Sequence, residues 1–274
     1  QNREVTQFHP SDHTLVHTGQ MNRLRWYSSA TVLPNGEVYV QGGSGGADLP
    51  ERRKSDGTFQ LLTGAPTNGM SSGYPKNWVG PDGLVFGIAN TQMYRVDPAG
   101  NGSMTMLGSI PNGNTGGTST AVMFRPGLIL QVGGGNSDNA SRVATIININ
   151  SGSPQITTLP QAQSGRHWGN ATVMADGRVL VSGGSAVNNA ASGVAYTAEI
   201  FNPANNSWTT GPTATRMRLY HSTSLLLPDA TVVTMGGGTP GPETNLNAEV
   251  YYPPYLFNGD GTAADITWRF DNLV

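Results

Sequence analysis

Apolar positions in this chain come in runs of four or five, too short for the recurring stripe of an amphipathic helix and suited to buried or half-buried strands. Ala30 to Leu33, Ala171 to Met174 and Ser224 to Leu227 are such runs. Each leads into a turn rich in Pro, Asn or Asp, then into a second strand such as Glu37 to Val40, and that strand ends at Gly-Gly. The whole unit is written three times. The copies are RWYSSATVLPNGEVYVQGG from Arg25 to Gly43, RHWGNATVMADGRVLVSGG from Arg166 to Gly184, and RLYHSTSLLLPDATVVTMGG from Arg218 to Gly237.

Two weaker copies keep the register, with turn glycines at Gly83 and Gly127. The turn residues 36, 83, 127, 177 and 230 are therefore 47, 44, 50 and 53 positions apart. A period near 50 with four strands per unit predicts an all-β fold, a kelch-type β-propeller of four-stranded antiparallel blades. Outer strands follow the inner pair, each with an aromatic residue and a turn, as in Ala198 to Trp208 and Ala248 to Phe257. The opening stretch, Val5 to Leu15, reads as another outer pair that precedes any inner strands of its own. The expected organisation is thus residues 1–20 as outer strands of an incomplete first blade, 21–258 as the propeller core, and 259–274 as the lead-in to a further domain. Closure into six or seven blades would remove exposed sheet edges. Glycines at the end of the second strand would let backbones approach where a Cβ would collide.

Composition narrows the classes of function. Charged residues make up 12% of the chain and the formal net charge is −2, with Lys54 and Lys76 the only lysines, so no basic stripe exists to neutralise a run of phosphates. Nucleic acid is excluded as a partner, and no apolar run approaches the roughly 20 residues needed to cross a bilayer. Cysteine is absent, which excludes disulfides and thiolate metal sites within the chain. The scarcity of lysine, the abundance of Asn, Thr, Ser and Gly, and Gln1 at the start fit an exported, extracellular protein. His9, His13 and His17 would share a face, but along a strand they spread over about 26 Å at roughly 3.3 Å per residue, too far for one ion.

Chemistry concentrates nine residues before the turn. There the three strong copies carry Tyr27, Trp168 and His221, with Tyr220 beside the last. Equivalent positions in a repeat point to equivalent places, so these side chains should converge. Tyr74 and Thr118 complete the column by register. The arginines at 25, 166, 216 and 218 recur at the strand starts, where pairing with carboxylates or carbonyls of neighbouring blades is expected.

The strings from Arg25 to Ser44 and from Arg216 to Asp229, with Gly236-Gly-Gly and Ala248 to Phe257 behind them, resemble the matching blades of galactose oxidase and glyoxal oxidase, the copper-radical oxidases. The resemblance covers residues 20 to 258 and implies a seven-bladed kelch propeller that holds one copper ion. It assigns Tyr27 as the radical-forming ligand, Tyr220 as the axial tyrosine and His221 as a histidine ligand; Trp168 would shape the pocket or stack on the radical site. The implied reaction is two-electron oxidation of a primary alcohol, aldehyde or carbohydrate, with O2 reduced to H2O2 and Tyr220 taking the substrate proton. In that family the radical tyrosine is cross-linked to a cysteine and a second histidine comes from the following domain. No Tyr-Cys cross-link can form within this chain, so the missing groups would come from upstream and downstream segments or from a companion chain. The competing reading is a non-catalytic kelch propeller that binds carbohydrate or protein, or builds an extracellular structure.

Overall fold

The computed structural model describes residues 2–111, 116–136 and 138–264. Among them are strands, turns and one 3-10 turn at Pro254–Leu256, and no α-helix. The chain divides into two compact units, Gln1–Gly135 with Val143–Leu159, and Asn136–Arg142 with Pro160–Val274.

The first unit opens on an antiparallel hairpin, Asn2–His9 against Thr14–Arg25. Three four-stranded antiparallel blades follow, each in simple sequence order. Blade one is Ser28–Val32, Val38–Gly42, Glu51–Arg53 and Phe59–Leu61. Blade two is Lys76–Val79, Val85–Ala89, Gln92–Asp97 and Ser103–Ser109. Blade three is Ser119–Arg125, Leu128–Gly133, Ala144–Asn148 and Gln155–Thr158. The second unit holds blade four, Asn170–Val173, Val179–Ser182, Thr197–Asn202 and Ser207–Thr213, and blade five, whose described strands are Ser222–Leu226, Val232–Gly236 and Ala248–Tyr251. These are the blades of a β-propeller, five in number among the described residues. The expected lead-in at 259–274 lies outside the described residues beyond Ala264.

The second strand of each blade is the most enclosed because sheet flanks it on both edges, and in blade two the neighbouring blades cover both its faces. Every residue of Val85–Ala89 and Val179–Ser182 is buried. Core forms where consecutive blades meet. Leu33, Tyr39 and Leu62 pack with Val85, Tyr94 and Val96, and Phe86, Ile88 and Met93 pack with Ile129, Ile147 and Ile149. In the second unit Met174, Leu180 and Ile200 pack with Val232. The expected outer aromatic pair is also present, Phe201 opposite Trp208 with ring centroids 5.2 Å apart.

One turn joins the inner strands in four of the blades. In blade one the Leu33 amide donates to the Glu37 carbonyl at 2.8 Å and the Gly36 amide to the Leu33 carbonyl at 2.9 Å, and the same two bonds recur at Gly80/Gly83, Met174/Gly177 and Leu227/Ala230. The closing residue is left-handed each time, with φ of 80°, 79°, 80° and 63° at Gly36, Gly83, Gly177 and Ala230. The Gly-Gly pairs answer a different need, close approach. A Cβ on Gly183 would lie 2.6 Å from the Arg218 carbonyl oxygen, and one on Gly184 would lie 2.6 Å from that of His167. The Gly184 amide uses this closeness to donate to the Arg218 carbonyl at 2.7 Å, tying blade four to the start of blade five. In blade one the Gly43 amide reaches Ser72 in the same way, also at 2.7 Å.

The two kinds of glycine give different expected costs. A Cβ on Gly36 meets nothing within 4 Å, so Gly36→Ala should lose only the left-handed backbone term, about 1–2 kcal/mol. Gly183→Ala adds a backbone collision, which raises the expected loss to roughly 2–5 kcal/mol. Urea unfolding of both variants against the parent checks the order; equal losses would show that the close approach at Gly183 is not needed.

Candidate metal and radical site

In blades one, four and five the column residue follows a clasp whose centre is a buried arginine. Arg25 donates from Nε to Glu51 at 2.9 Å, from Nη1 to the carbonyls of Gly42 and Gly46 at 2.7 and 2.8 Å, and from Nη2 to that of Leu49 at 2.8 Å. Arg166 reaches Glu199 at 3.0 Å and the carbonyls of Gly183 and Thr197 at 2.7 and 2.6 Å. Arg218 reaches Glu249 at 3.3 Å and the carbonyls of Gly236 and Asn247 at 3.2 and 3.1 Å. The glutamate also holds the residue three before its arginine, accepting from the amide of Asn22 at 2.7 Å, from that of Gln163, and from that of Thr215 at 2.7 Å.

These partners belong to the arginine's own blade, not to a neighbouring blade as the sequence suggested. The third-strand carboxylate lies within ion-pair distance of the arginine that precedes its own inner strand, at 2.8, 3.0 and 3.3 Å. Arg216, the fourth arginine, is on the surface, 3.9 Å from Glu243. The carboxylates were visible in the sequence as Ala198-Glu199-Ile200 and Ala248-Glu249-Val250, but nothing in their spacing from the arginines pairs them.

Two or three residues past each of these arginines the backbone turns left-handed at a bulky side chain, with φ of 68° at Tyr27, 59° at Trp168 and 67° at His221; Tyr74, which no arginine precedes, has φ 54°. The strain costs about 1–2 kcal/mol at each residue, and its recurrence at one register position marks the column as a place where side-chain direction outweighs local stability.

Each unit gathers its own part of the column. In the first, the Tyr27 ring lies 4.7 Å from that of Tyr74 and 5.2 Å from that of Trp26, and the Tyr74 amide donates to the Tyr27 carbonyl at 3.0 Å. Tyr74, placed in the column by register alone, is thus a direct neighbour of Tyr27. In the second, Trp168 packs on Tyr220 with centroids 4.6 Å apart, and Tyr220 stacks on His221 at 3.7 Å and 27°. Trp168 is further fixed by its indole N–H donating to Asn188 at 2.6 Å. His221 Nδ1 lies 2.7 Å from the Thr239 carbonyl oxygen. A carbonyl only accepts, so Nδ1 carries the proton and the ring lone pair belongs to Nε2, the usual arrangement of a metal-binding imidazole.

His167, beside Trp168, is fully buried, and its backbone bridges to Ser185. His13 stacks on Phe8, and His17 pairs with Glu4. Among the described residues no group of three or more His, Cys, Asp and Glu side chains could hold a metal ion.

Four-stranded antiparallel blades with aromatic residues and an imidazole at their inner-strand starts define the class of the fold, a β-propeller, and comparison with known proteins shows what it resembles. No protein-family model matches the chain. Galactose oxidase of Gibberella zeae is 26% identical over 89% of this chain and 41% of its own length. Aldehyde oxidase GLOX1 of Arabidopsis thaliana is 24% identical over 85% of this chain and 45% of its own length. A fungal alcohol oxidase of the AA5 family, solved in complex with copper, superposes with a TM-score of 0.88 at 27% identity, over 96% of this chain and 60% of that one. YjhT matches with a TM-score of 0.68 at 12% identity over 89% of this chain and 86% of that one, a likeness of fold alone. The chain is thus similar to galactose oxidase, to aldehyde oxidase GLOX1 and to a copper-bound alcohol oxidase, and it spans less than half the length of the curated relatives named.

The clasp can be tested apart from any activity. Arg166 and Glu199 are both almost wholly enclosed, so Arg166→Met leaves an uncompensated buried carboxylate and should cost about 3–5 kcal/mol, whereas Arg166→Met with Glu199→Leu should recover much of the loss. A double-mutant cycle in thermal unfolding reads the coupling, and additive losses would show that the pair does not act as one unit.

Proposed function

We propose that this chain is the propeller part of a copper-radical oxidase that converts a primary alcohol or aldehyde with reduction of O2 to H2O2. The observation that carries the reading is the Tyr220–His221 stack with the His221 lone pair assigned to Nε2. Imidazole and phenolate suit Cu(II), which also stands at the top of the divalent affinity order. Tyr27, Tyr220 and His221 would hold the ion.

When bound, copper supplies one of the two redox equivalents that alcohol oxidation needs. Tyr27 would supply the other as a tyrosyl radical, taking a hydrogen atom from the substrate carbon, and Tyr220 would take the hydroxyl proton at its phenolate oxygen. Trp168, packed on Tyr220, would hold that ring and line the substrate side of the site. Tyr74 would hold Tyr27 through the packed rings and the hydrogen bond from its amide to the Tyr27 carbonyl. The reading includes a complete kelch propeller of six or seven blades and action outside the cell; the lysine-poor composition supports the latter. Within the described residues no helix is long and apolar enough to cross a membrane.

The test uses the full-length polypeptide loaded with Cu(II). It should bind one copper by metal analysis and release H2O2 from members of a panel of primary alcohols and aldehydes in a peroxidase-coupled assay. Tyr27→Phe should keep the folded propeller and lose turnover by at least about 10³-fold, an effect worth roughly 4 kcal/mol of barrier. His221→Ala with Tyr220→Phe should lose the copper as well. A protein that ignores copper, or whose turnover survives these changes, is a binding or structural module instead.

A further inference from the structure

Five Asn-Gly pairs stand in the chain, at Asn35, Asn68, Asn101, Asn112 and Asn258. Asparagine before glycine is chemically labile, because a following residue without a Cβ leaves its backbone nitrogen unshielded from the asparagine side-chain carbonyl carbon. Asn112 lies outside the described residues. The other four asparagines are all exposed, so neither the dipeptide nor access to water ranks them. Their hydrogen bonds do.

Three of the four are held. Asn35 Oδ1 accepts from the Glu37 amide and its Nδ2 donates to the Glu37 carboxylate, each at 3.1 Å, while the Gly36 amide donates to the Leu33 carbonyl at 2.9 Å. At Asn101 the carbonyl accepts from the Gly64 amide at 2.8 Å, and the Gly102 amide donates to the Ala99 carbonyl at 2.8 Å. Asn258 donates from Nδ2 to Thr262 Oγ1 at 2.9 Å and to the Ala263 carbonyl at 3.3 Å. Asn68 differs. Its turn is closed by the Met70 amide, which donates to the Thr67 carbonyl at 3.2 Å, and Thr67 is anchored through its hydroxyl to the Ala47 carbonyl at 2.7 Å. Yet among the described residues neither the Asn68 side chain nor the Gly69 amide makes a hydrogen bond, and a Cβ on Gly69 would meet nothing within 4 Å.

We propose that Asn68 is a self-modification site of the folded protein, where the free Gly69 amide and the free Asn68 side chain react to give isoaspartate. The Gly69 nitrogen, giving up its proton, bonds to Asn68 Cγ, and the Cγ–Nδ2 bond breaks to release ammonia and leave a cyclic imide. Water then opens the ring, mostly so that the main chain runs through Cβ. The sum is one water consumed and one ammonia released, with no change of oxidation state. The product carries an added methylene in the main chain and a new carboxylate six residues before Tyr74. The same loop carries Ser72, whose carbonyl accepts from the Gly43 amide, and Tyr74, whose amide and ring both rest on Tyr27. The chemistry stands apart from the oxidase reading.

Trypsin makes the test clean, because residues 55–76 hold Asn68 as their one asparagine and residues 26–52 hold Asn35 as theirs. The folded protein is aged in mildly alkaline buffer, and each peptide is followed by mass spectrometry, with electron-transfer fragmentation to tell isoaspartate from aspartate. Breaking the hydrogen bonds at Asn35 and Gly36 before reaction should make Asn35 at least about tenfold slower than Asn68. In urea, where those bonds are gone, the two rates should converge. Equal rates in the folded protein, or an intact Asn68 beside a converted Asn35, overturn the proposal. So does a preference for Asn68 that urea leaves unchanged, since local sequence would then be its cause, and so does a product that is aspartate alone, which needs no cyclic imide. The measurement uses neither copper nor turnover, so its outcome is independent of whether the chain serves an oxidase.

Discussion

The arginine–glutamate clasp is the constraint on which the rest of the arrangement depends. Its guanidinium satisfies carbonyls that the Gly-Gly bend turns away from the ladder, as at Gly42, Gly183 and Gly236. Its carboxylate captures the incoming chain three residues earlier. A planar, five-donor cation is well matched to several carbonyls and a carboxylate at once, which lysine could not satisfy from a single point. Buried pairs of this kind add little net stability over apolar packing, but they penalise any arrangement in which one partner is misplaced. Here that specificity fixes the path of the backbone through the left-handed residue that follows.

The left-handed residues turn this fixed path into chemistry. An ordinary inner-strand start would aim its side chain along the sheet, into neighbours already filled by core. With the backbone turned at Tyr27, Trp168 and His221 the rings pack on one another instead: Tyr27 against Tyr74, Trp168 against Tyr220, and Tyr220 stacked on His221. The rings are half-buried or exposed rather than sealed in core, so ligands can reach them. Glycine or asparagine would hold the same backbone with less strain. The presence of bulky rings at these positions argues that their direction is what the fold maintains.

Much of this was legible in the sequence. The repeat period, the inner strand pair, the turn residues and the collision role of Gly-Gly follow from spacing and from the conformational freedom of glycine, and they correspond to features of the structure. The column was legible too, because repeats place equivalent residues alike. The arginine partners were not. Glu51, Glu199 and Glu249 lie 26, 33 and 31 residues from their arginines, a separation that depends on loop lengths no periodicity fixes. Nor could the left-handed backbone be read, since tyrosine, tryptophan and histidine give no sign of positive φ. Tyr74 shows the limit of register reading, which placed it in the column but gave no sign that its ring would meet Tyr27.

Because the clasp closes inside one blade, the frame that aims a column residue does not depend on which residue it aims. Tyrosine, tryptophan and histidine occupy equivalent positions on nearly the same backbone, with φ between 59° and 68°. A series of duplicated modules can therefore diversify one position at a time without renegotiating the joints between modules. That freedom shows how unlike side chains can come to occupy one position of a repeated frame.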